Sequence, residues 1–322
     1  MKAIVCNAFG AISDLEYADW PEPEATGDTL VIEAQACGMN FPDGLLVQGL
    51  YQMKPDLPFV PGMEVAGRVI AAGPDVKRLK QGDRIAALLS HGGYAERVAI
   101  SEKVAVPLPD GLDPAEACAM LVAYGTAHYA LKQRAALQPG ETLFVPGAAG
   151  NTGIAAIQVG KAMGARVLAA ASTPQKQEVA LQAGADEAFG YENLRDALKT
   201  ATGGKGVDVA FDSVGGETFD VLSRAMGWGG RLLVIGFASG AIPKLPVNLT
   251  LVKSYSVVGV FWGAFTAREP KTYAANNAEL FGWWREGKIR PVVEGRYPLS
   301  QAPAVLKRIM DRGATGKLVL VP

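Results

Sequence analysis

The stretch whose reading decides the fold is Phe144-Val145-Pro146-Gly147-Ala148-Ala149-Gly150-Asn151-Thr152-Gly153, "FVPGAAGNTG". It lies between an apolar run, "TLFVPG", with the length and composition of a buried strand, and "TGIAAIQVGKAMG", which reads as a helix stopped by Gly164. A strand, a glycine-rich turn and a helix in that order serve two ends. The turn is either a cradle for a pyrophosphate or only a tight connection. The register Ala148-x-Gly150-x-x-Gly153 matches the dinucleotide fingerprint with alanine at its first glycine. In a cradle, Gly150 lets the backbone approach the phosphates and Gly153 lets the helix pack on the strand. The first-turn N–H groups then face the anion.

Downstream context favours the cradle. After Gly164 come "ARVLAAAS", "PQKQEVALQAG", "DEAFGY", "NLRDALKTATGG", "VDVAFDSV", "ETFDVLSRAM" and "RLLVIGF", strand and helix in turn. Alternation of this kind implies a parallel, doubly wound sheet, and strand runs without polar alternation suit a sheet covered on both faces. Upstream, "TLVIEAQACG" and "EVAGRVIAAG" are short apolar strands among Gly/Pro punctuation, so residues 1–110 read as β-rich. "DPAEACAMLVAYGTAHYALKQRAAL" opens a linking helix with Asp113 as cap and Pro114 at its first position. The tail returns to a helix and a final strand and is expected to rejoin the first domain.

The cofactor follows from the end of the second strand. An NAD site carries an acid there, roughly 20 residues on, for the ribose 2′-hydroxyl. This chain has Ala171-Ser172-Thr173, with Lys176 one helical turn later. A hydroxyl and a cation suit a 2′-phosphate, so NADPH is the expected cofactor; as the alternative, Lys176 is a solvated surface lysine.

Bulk composition excludes other classes. The chain has 322 residues, 49% hydrophobic and 20% charged, with net charge −1. That suits two globular domains and gives no electrostatic case for nucleic acid. No apolar run reaches the ~18–20 residues of a membrane span, and the start "MKAIVCNAFG" lacks a signal-peptide core. The three cysteines, Cys6, Cys37 and Cys118, form no CxxC pair. A cytoplasmic protein without disulfides is expected.

Taken together, "CGMNFPDGLLVQGLY", "LPFVPGMEVAGRV", "GDRIAALLSHGGYAERV", "AYGTAHYAL", "GAAGNTG", "VDVAFDSVGG" and "GRLLVIGFASG" resemble the zinc-independent quinone oxidoreductases of the medium-chain dehydrogenase/reductase superfamily. The resemblance spans nearly the whole chain. It implies an α/β architecture: a GroES-like, β-rich catalytic domain over 1–122 and 266–322, and an inserted Rossmann domain over 123–265 that binds NADPH. It also implies a cofactor in the cleft between the domains and a homodimer, whose partner would cover the apolar edge segment "SVVGVFWGAF".

Zinc alcohol dehydrogenases of the same superfamily hold zinc with Cys, His and Cys. The corresponding positions here are Asn40, Met63 and Val122, which cannot supply tetrahedral N/S ligation. No metal is expected, and reversible alcohol oxidation loses its Lewis acid. Hydride addition to quinones or other electron-poor enones remains. Tyr51 is the candidate donor to the developing oxyanion, with packing over the cleft as the alternative. Asn40 is a candidate contact to substrate or nicotinamide ribose, or a turn former. Asp43 orders the loop. By resemblance, cofactor contacts fall on Asn40, Thr126, Ala149, Gly150, Asn151, Thr152, Gly153, Ser172, Lys176, Tyr191, Val214, Phe237, Ala238, Phe261, Trp262 and Lys317. The alternatives are a plain helix threonine for Thr126 and a surface charge for Lys317. His91 and His128 lack any triad or metal pattern and are expected to have a structural or solvent role. An NADPH-dependent 2-enoyl thioester reductase and a non-enzymatic NADPH-binding sensor or lens-type protein stand as rival readings.

Overall fold

The computed structural model describes residues 1–322 and divides into two units, Met1–Val122 with Pro291–Pro322, and Ala123–Arg290. No helix is long and apolar enough to cross a membrane.

The first unit is built on a seven-stranded, mostly antiparallel sheet. Its strand Thr29–Gly38 pairs with Glu64–Ala72, Arg97–Ser101 and Lys317–Val321. The tail thus returns as expected, supplying Lys317–Val321 and the helix Ala302–Met310. A strand unforeseen in the sequence, Val293–Pro298, runs parallel to Lys317–Val321 at the edge. The core gathers Ile4, Leu30, Ile32, Val65, Ile85, Tyr94, Leu306 and Leu320, all buried.

The second unit is a six-stranded parallel sheet. Its order runs Glu187–Phe189, Arg166–Ala170, Thr142–Pro146, Val207–Asp212, Met226–Val234, Ser256–Gly259. Counted along the chain this is 3-2-1-4-5-6, the doubly wound order whose switch point lies beside its first strand, Thr142–Pro146. Each helix stops where the sequence requires: Gly164 and Gly184 follow their helices with φ of +84° and +108°. Asp113 caps the linking helix through Ala115 N–H (2.9 Å), and helical structure then runs from Pro114 to Arg134 with two wider π-turns. Val122 sits inside this helical run.

Two boundaries differ from expectation. The chain leaves the second unit at Arg290 and not at 266, because the helix Pro270–Arg285 packs on the start of that unit. Glu279 accepts from His128 Nε2 (2.8 Å), Gln133 donates to Asn276 (2.8 Å) and the Trp283 ring lies 5.3 Å from His128. The expected last strand over "SVVGVFWGAF" is only Ser256–Gly259; a helix, Trp262–Arg268, begins where strand was expected.

Candidate active site

In the second unit, the glycine turn leaves the strand Thr142–Pro146 at Gly147, whose φ of +63° is cheap only for glycine. The helix Asn151–Ala162 starts directly after Gly150. No side chain caps it, whereas Thr173 caps the next helix through Lys176 N–H (3.2 Å). Gly150 N–H closes the turn onto Gly147 C=O (3.1 Å), and the first helix-type bond runs from Ile154 N–H to Gly150 C=O (2.9 Å), so Thr152 and Gly153 N–H have no carbonyl one turn back. The two glycines of the turn do different work. A Cβ on Gly153 would collide with the Gly147 carbonyl oxygen and with Ala148 Cα at 2.7 Å, so Gly153 serves helix-to-strand packing. A Cβ on Gly150 would meet only the Gly147 oxygen, at 3.6 Å. Space stands open beside Gly150, on the side where a phosphate group needs the backbone bare. The turn fits a dinucleotide.

Other expected residues gather at the same sheet edge. Tyr191 Oη accepts from Gly147 N–H (2.8 Å) and lies 3.4 Å from the Ala170 oxygen. Val214 stands next to Gly147, and buried Asp212 fixes its turn by accepting from Val214 and Gly215 N–H, both at 2.9 Å. Burial raises the Asp212 carboxyl above its usual value against those two bonds. Ala238 N–H bonds the Ser213 oxygen (3.1 Å), and the half-exposed Phe237 ring lies over Gly215. Ser172 is exposed just past the strand Arg166–Ala170, and Lys176 follows in the first turn of the next helix. Thr126 is half-buried and Phe261 is exposed, but Trp262 is not. Its ring packs where a Cβ on Gly125 would lie and meets Tyr273 edge-on at 6.0 Å, so the structure gives it a core position.

In the first unit two of the three positions that correspond to zinc ligands, Asn40 and Val122, converge on one carboxylate. Glu64 is fully buried. Its Oε2 accepts from the Lys317 ammonium and from Asn40 Nδ2 (2.8 Å), and its Oε1 accepts from Val122 N–H (2.7 Å). The π-turn over Met120–Tyr124 explains the last contact, since such a turn releases an N–H from the helix ladder. Lys317 also donates to Asn40 Oδ1 (2.8 Å). At 1% exposure it is no surface charge. Gly38 makes room for the pair: a Cβ there would meet Glu64 Oε2 at 2.5 Å and Lys317 Cε at 2.9 Å.

A second buried acid completes the cluster. Asp43 accepts from Asn40 N–H (2.7 Å), Tyr94 Oη–H (2.7 Å) and Met63 N–H (3.1 Å). Burial pushes its carboxyl up to about 7, against the pull of the Tyr94 hydrogen bond. Its loop-ordering role is as expected. Half-buried Tyr51 packs against this unit's core, and its phenol is raised by burial and then by the Asp43 charge.

The cluster does not fit zinc. Asn40 and Met63 offer no imidazole or thiolate, Val122 offers only a backbone N–H, and the Glu64 carboxylate is already held by an ammonium ion. Sequence reasoning missed Glu64 and Tyr94 as members. The signal was there: Glu64 opens the apolar strand "EVAGRV" and Lys317 opens "KLVLV", and charges inside buried strands require partners. His91 packs edge-on to Phe59 (5.8 Å), and buried His128 is lowered by burial against the Glu279 hydrogen bond. Both serve packing.

Comparison with known proteins agrees with this reading. Residues 26–110 match the alcohol dehydrogenase GroES-like domain, and residues 152–279 match the family described as zinc-binding dehydrogenase. The chain is 37% identical over 292 residues to quinone oxidoreductase-like protein 2 of Rattus norvegicus, covering 90% of this chain and 83% of that protein. It is 32% identical to quinone oxidoreductase of Homo sapiens, covering 100% and 98%. Among solved structures, the Escherichia coli quinone oxidoreductase complexed with NADPH shares 30% identity at a TM-score of 0.91, with all of both chains covered. The Thermus thermophilus quinone oxidoreductase, solved also in complex with NADPH, shares 39% at 0.85, again over both whole chains. This chain therefore belongs to the quinone oxidoreductase group of the medium-chain dehydrogenase/reductase superfamily.

Proposed function

We propose that this chain is an NADPH-dependent oxidoreductase that reduces quinones or related electron-poor enones by hydride transfer without a metal. The observation that carries the reading is the pairing of two features: an open, uncapped glycine turn in one unit, and, in the other, a closed Glu64–Lys317 pair bonded to Asn40 and Val122, two of the positions that correspond to zinc ligands in alcohol dehydrogenases. When bound, NADPH supplies the hydride. Gly150 leaves the backbone bare for its pyrophosphate, with Asn151 and Thr152 opening the helix beside it; Ala149 and Gly153 shape the turn. Ser172 and Lys176 take the 2′-phosphate. Tyr191, Val214, Phe237 and Ala238 shape the adjacent sheet edge, and Thr126 and Phe261 extend the contact surface.

Without a Lewis acid, the substrate's own conjugation must accept the incoming charge, and the protein supplies position and a hydrogen bond. Tyr51 is the donor: its raised phenol keeps its proton throughout the neutral range. Asn40 acts by position. Both ends of its amide are held, Oδ1 by Lys317 and Nδ2 by Glu64, which fixes the start of the helix Phe41–Val47 ahead of Tyr51. Lys317 belongs to that support and does not contact the cofactor.

The protein acts as a homodimer in the cytoplasm. Exposed Val247 and Leu251, in the helix that precedes the edge strand, support a covering partner, and three buried free thiols suit a reducing compartment. Steady NADPH oxidation on addition of 9,10-phenanthrenequinone tests the enzyme reading; NADPH binding without turnover would return the chain to a sensor. Ranking quinones, enones and enoyl thioesters by kcat/KM tests the substrate class, and enoyl thioesters at the top would overturn it. Sedimentation at a monomer mass would remove the dimer.

A further inference from the structure

The second unit carries a pocket of about 320 Å3 that plays no part in the reading above. Arg195, Lys199, Lys205, Arg224 and Lys253 line it, together with Trp228, and no acidic residue does. It lies at the start of the strands: Met226 opens Met226–Val234, and Lys205 stands two residues before Val207–Asp212. The glycine turn, Val214 and Phe237 follow the ends of their strands. The two places are thus on opposite edges of one sheet, about 20 Å apart for a six-residue strand.

Five positive charges around one small volume repel each other, and ordinary folding does not leave such a set without counter-charges. The chain forms sixteen ion pairs, and none includes any of these five side chains. Arg195 and Lys199 are four apart on the helix Leu194–Ala201, a like-charge spacing that disfavours the helix. A plainer account would be compensation of helix C-termini. Lys199, Arg224 and Lys253 do lie in last turns, and Lys253 donates to the Arg224 and Met226 carbonyl oxygens. Three helix ends supply only about half a negative charge each, which leaves most of the five uncompensated. Arg195 is in the first turn of its helix, where the dipole has the wrong sign for it. The Lys253 ammonium is correspondingly lowered, first by burial and then by the charge of Arg195.

Trp228 adds a second kind of contact. Its indole is 77% exposed at the pocket, a flat face on which a base or other aromatic ring can stack. We propose that this pocket is a second ligand site, separate from the glycine turn, that binds a nucleoside polyphosphate with its phosphates on the five cations and its base on Trp228. A second copy of this chain is a poorer occupant. Two-fold contact centred here would bring the same five cations against each other.

Titration calorimetry of the protein preloaded with one equivalent of NADPH, with ATP as the probe, tests the proposal. The expected result is one further ATP per chain, with affinity that falls steeply as salt rises. The double variant Lys199→Glu/Arg224→Glu should weaken this binding by roughly a hundredfold, as expected when two charge-assisted hydrogen bonds are removed. Its NADPH binding and quinone turnover should stay unchanged, which also shows that it is folded. Trp228→Ala should weaken ATP by about tenfold and leave inorganic tripolyphosphate unaffected. No heat beyond the preloaded site, or ATP binding that survives the double reversal, overturns the site. Tripolyphosphate bound as tightly as ATP overturns the nucleoside part. A single-stranded oligoribonucleotide that binds where ATP does not overturns the small-ligand assignment.

Discussion

The glycine turn and the Glu64 cluster both keep polar groups in apolar surroundings, and they do so in opposite ways. At the turn, the space beside Gly150 stands open, no side chain caps the helix, and the one position with room for a Cβ is glycine. At the cluster, every oxygen of two buried carboxylates already has a donor, and an ammonium, a phenol and three backbone N–H groups are committed to them. Buried charges are tolerated only when paired and hydrogen-bonded, so the cluster is complete within the chain. The turn leaves room for an anion. A zinc centre keeps an open coordination position; here the corresponding place is filled by the protein's own ion pair, and substrate activation must come from elsewhere.

The largest expected effect tests whether the cluster is closed. Lys317→Met leaves the Glu64 charge buried without its cation. Removing one partner of such a pair costs about 3–5 kcal/mol. Urea unfolding should show a loss of that size, and adding Glu64→Gln should restore part of it, because the charge left unpaired is then gone. A cost below ~1 kcal/mol for the single variant, the range of a solvent-exposed pair, would break the comparison.

The turn should respond in the reverse sense. Gly150 has φ −76° and ψ 161°, a conformation any residue adopts, and its Cβ direction is open. Gly150→Val should therefore cost only about 1 kcal/mol of stability, the scale of removing a helix cap. NADPH affinity should fall by roughly a hundredfold or more, since a hydrogen bond to a charged phosphate is worth about 1.5–3 kcal/mol and the valine blocks more than one. Gly153→Val should do the opposite and unfold the turn, because its Cβ has no room. Melting temperature and NADPH titration of both variants decide it: a Gly150→Val protein that is folded and binds NADPH normally would make the turn a mere connection.

A smaller effect sharpens the cofactor assignment. Replacing Ser172 and Lys176 together by alanine should lower NADPH affinity by roughly ten- to a hundredfold and leave NADH affinity unchanged, because both side chains are exposed or half-exposed and partly screened. Equal losses for both cofactors would mean that these residues do not read the 2′-phosphate.

How much of this was legible in the sequence differs between the two regions for a physical reason. The turn is local. Strand, glycines and helix are contiguous, so periodicity and the spacing of Gly150 and Gly153 reveal it. The cluster is assembled from residues up to 277 positions apart, Asn40 and Lys317. No local pattern encodes that pairing, only the oddity of a charged residue at the head of each of two apolar strands. The return boundary failed for a similar reason. The helix Pro270–Arg285 carries polar contacts, Asn276 to Gln133 and Glu279 to His128, that reveal its home only once folded. Trp262 was expected at the cofactor by resemblance, with "SVVGVFWGAF" as the last strand; a helix that starts at Trp262 packs the indole against Gly125.

The smallest effect concerns Tyr51, which belongs to the first unit but borders the closed cluster without joining it. Its phenol is raised by burial and then by the negative charge of Asp43, so it keeps its proton to beyond its usual value near 10. As a neutral donor it can serve a developing oxyanion without any change of its own charge between neutral and mildly alkaline pH. Removing one donor aimed at an oxyanion costs ~2.7–4 kcal/mol in well-defined sites, roughly 10²–10³ in rate. A quinone needs little of this help, because two conjugated carbonyls and a gain in aromaticity already favour hydride acceptance; an enone gains no aromaticity. Tyr51→Phe should therefore lower kcat/KM by less than about tenfold on a quinone and by about a hundredfold or more on an enone. On the enone, the wild-type profile should show no loss assignable to Tyr51 below its raised value. Equal and large losses on both substrates would make Tyr51 a general donor. No loss on either would leave it as a packing residue beside the cluster, and the first unit would then contribute shape alone.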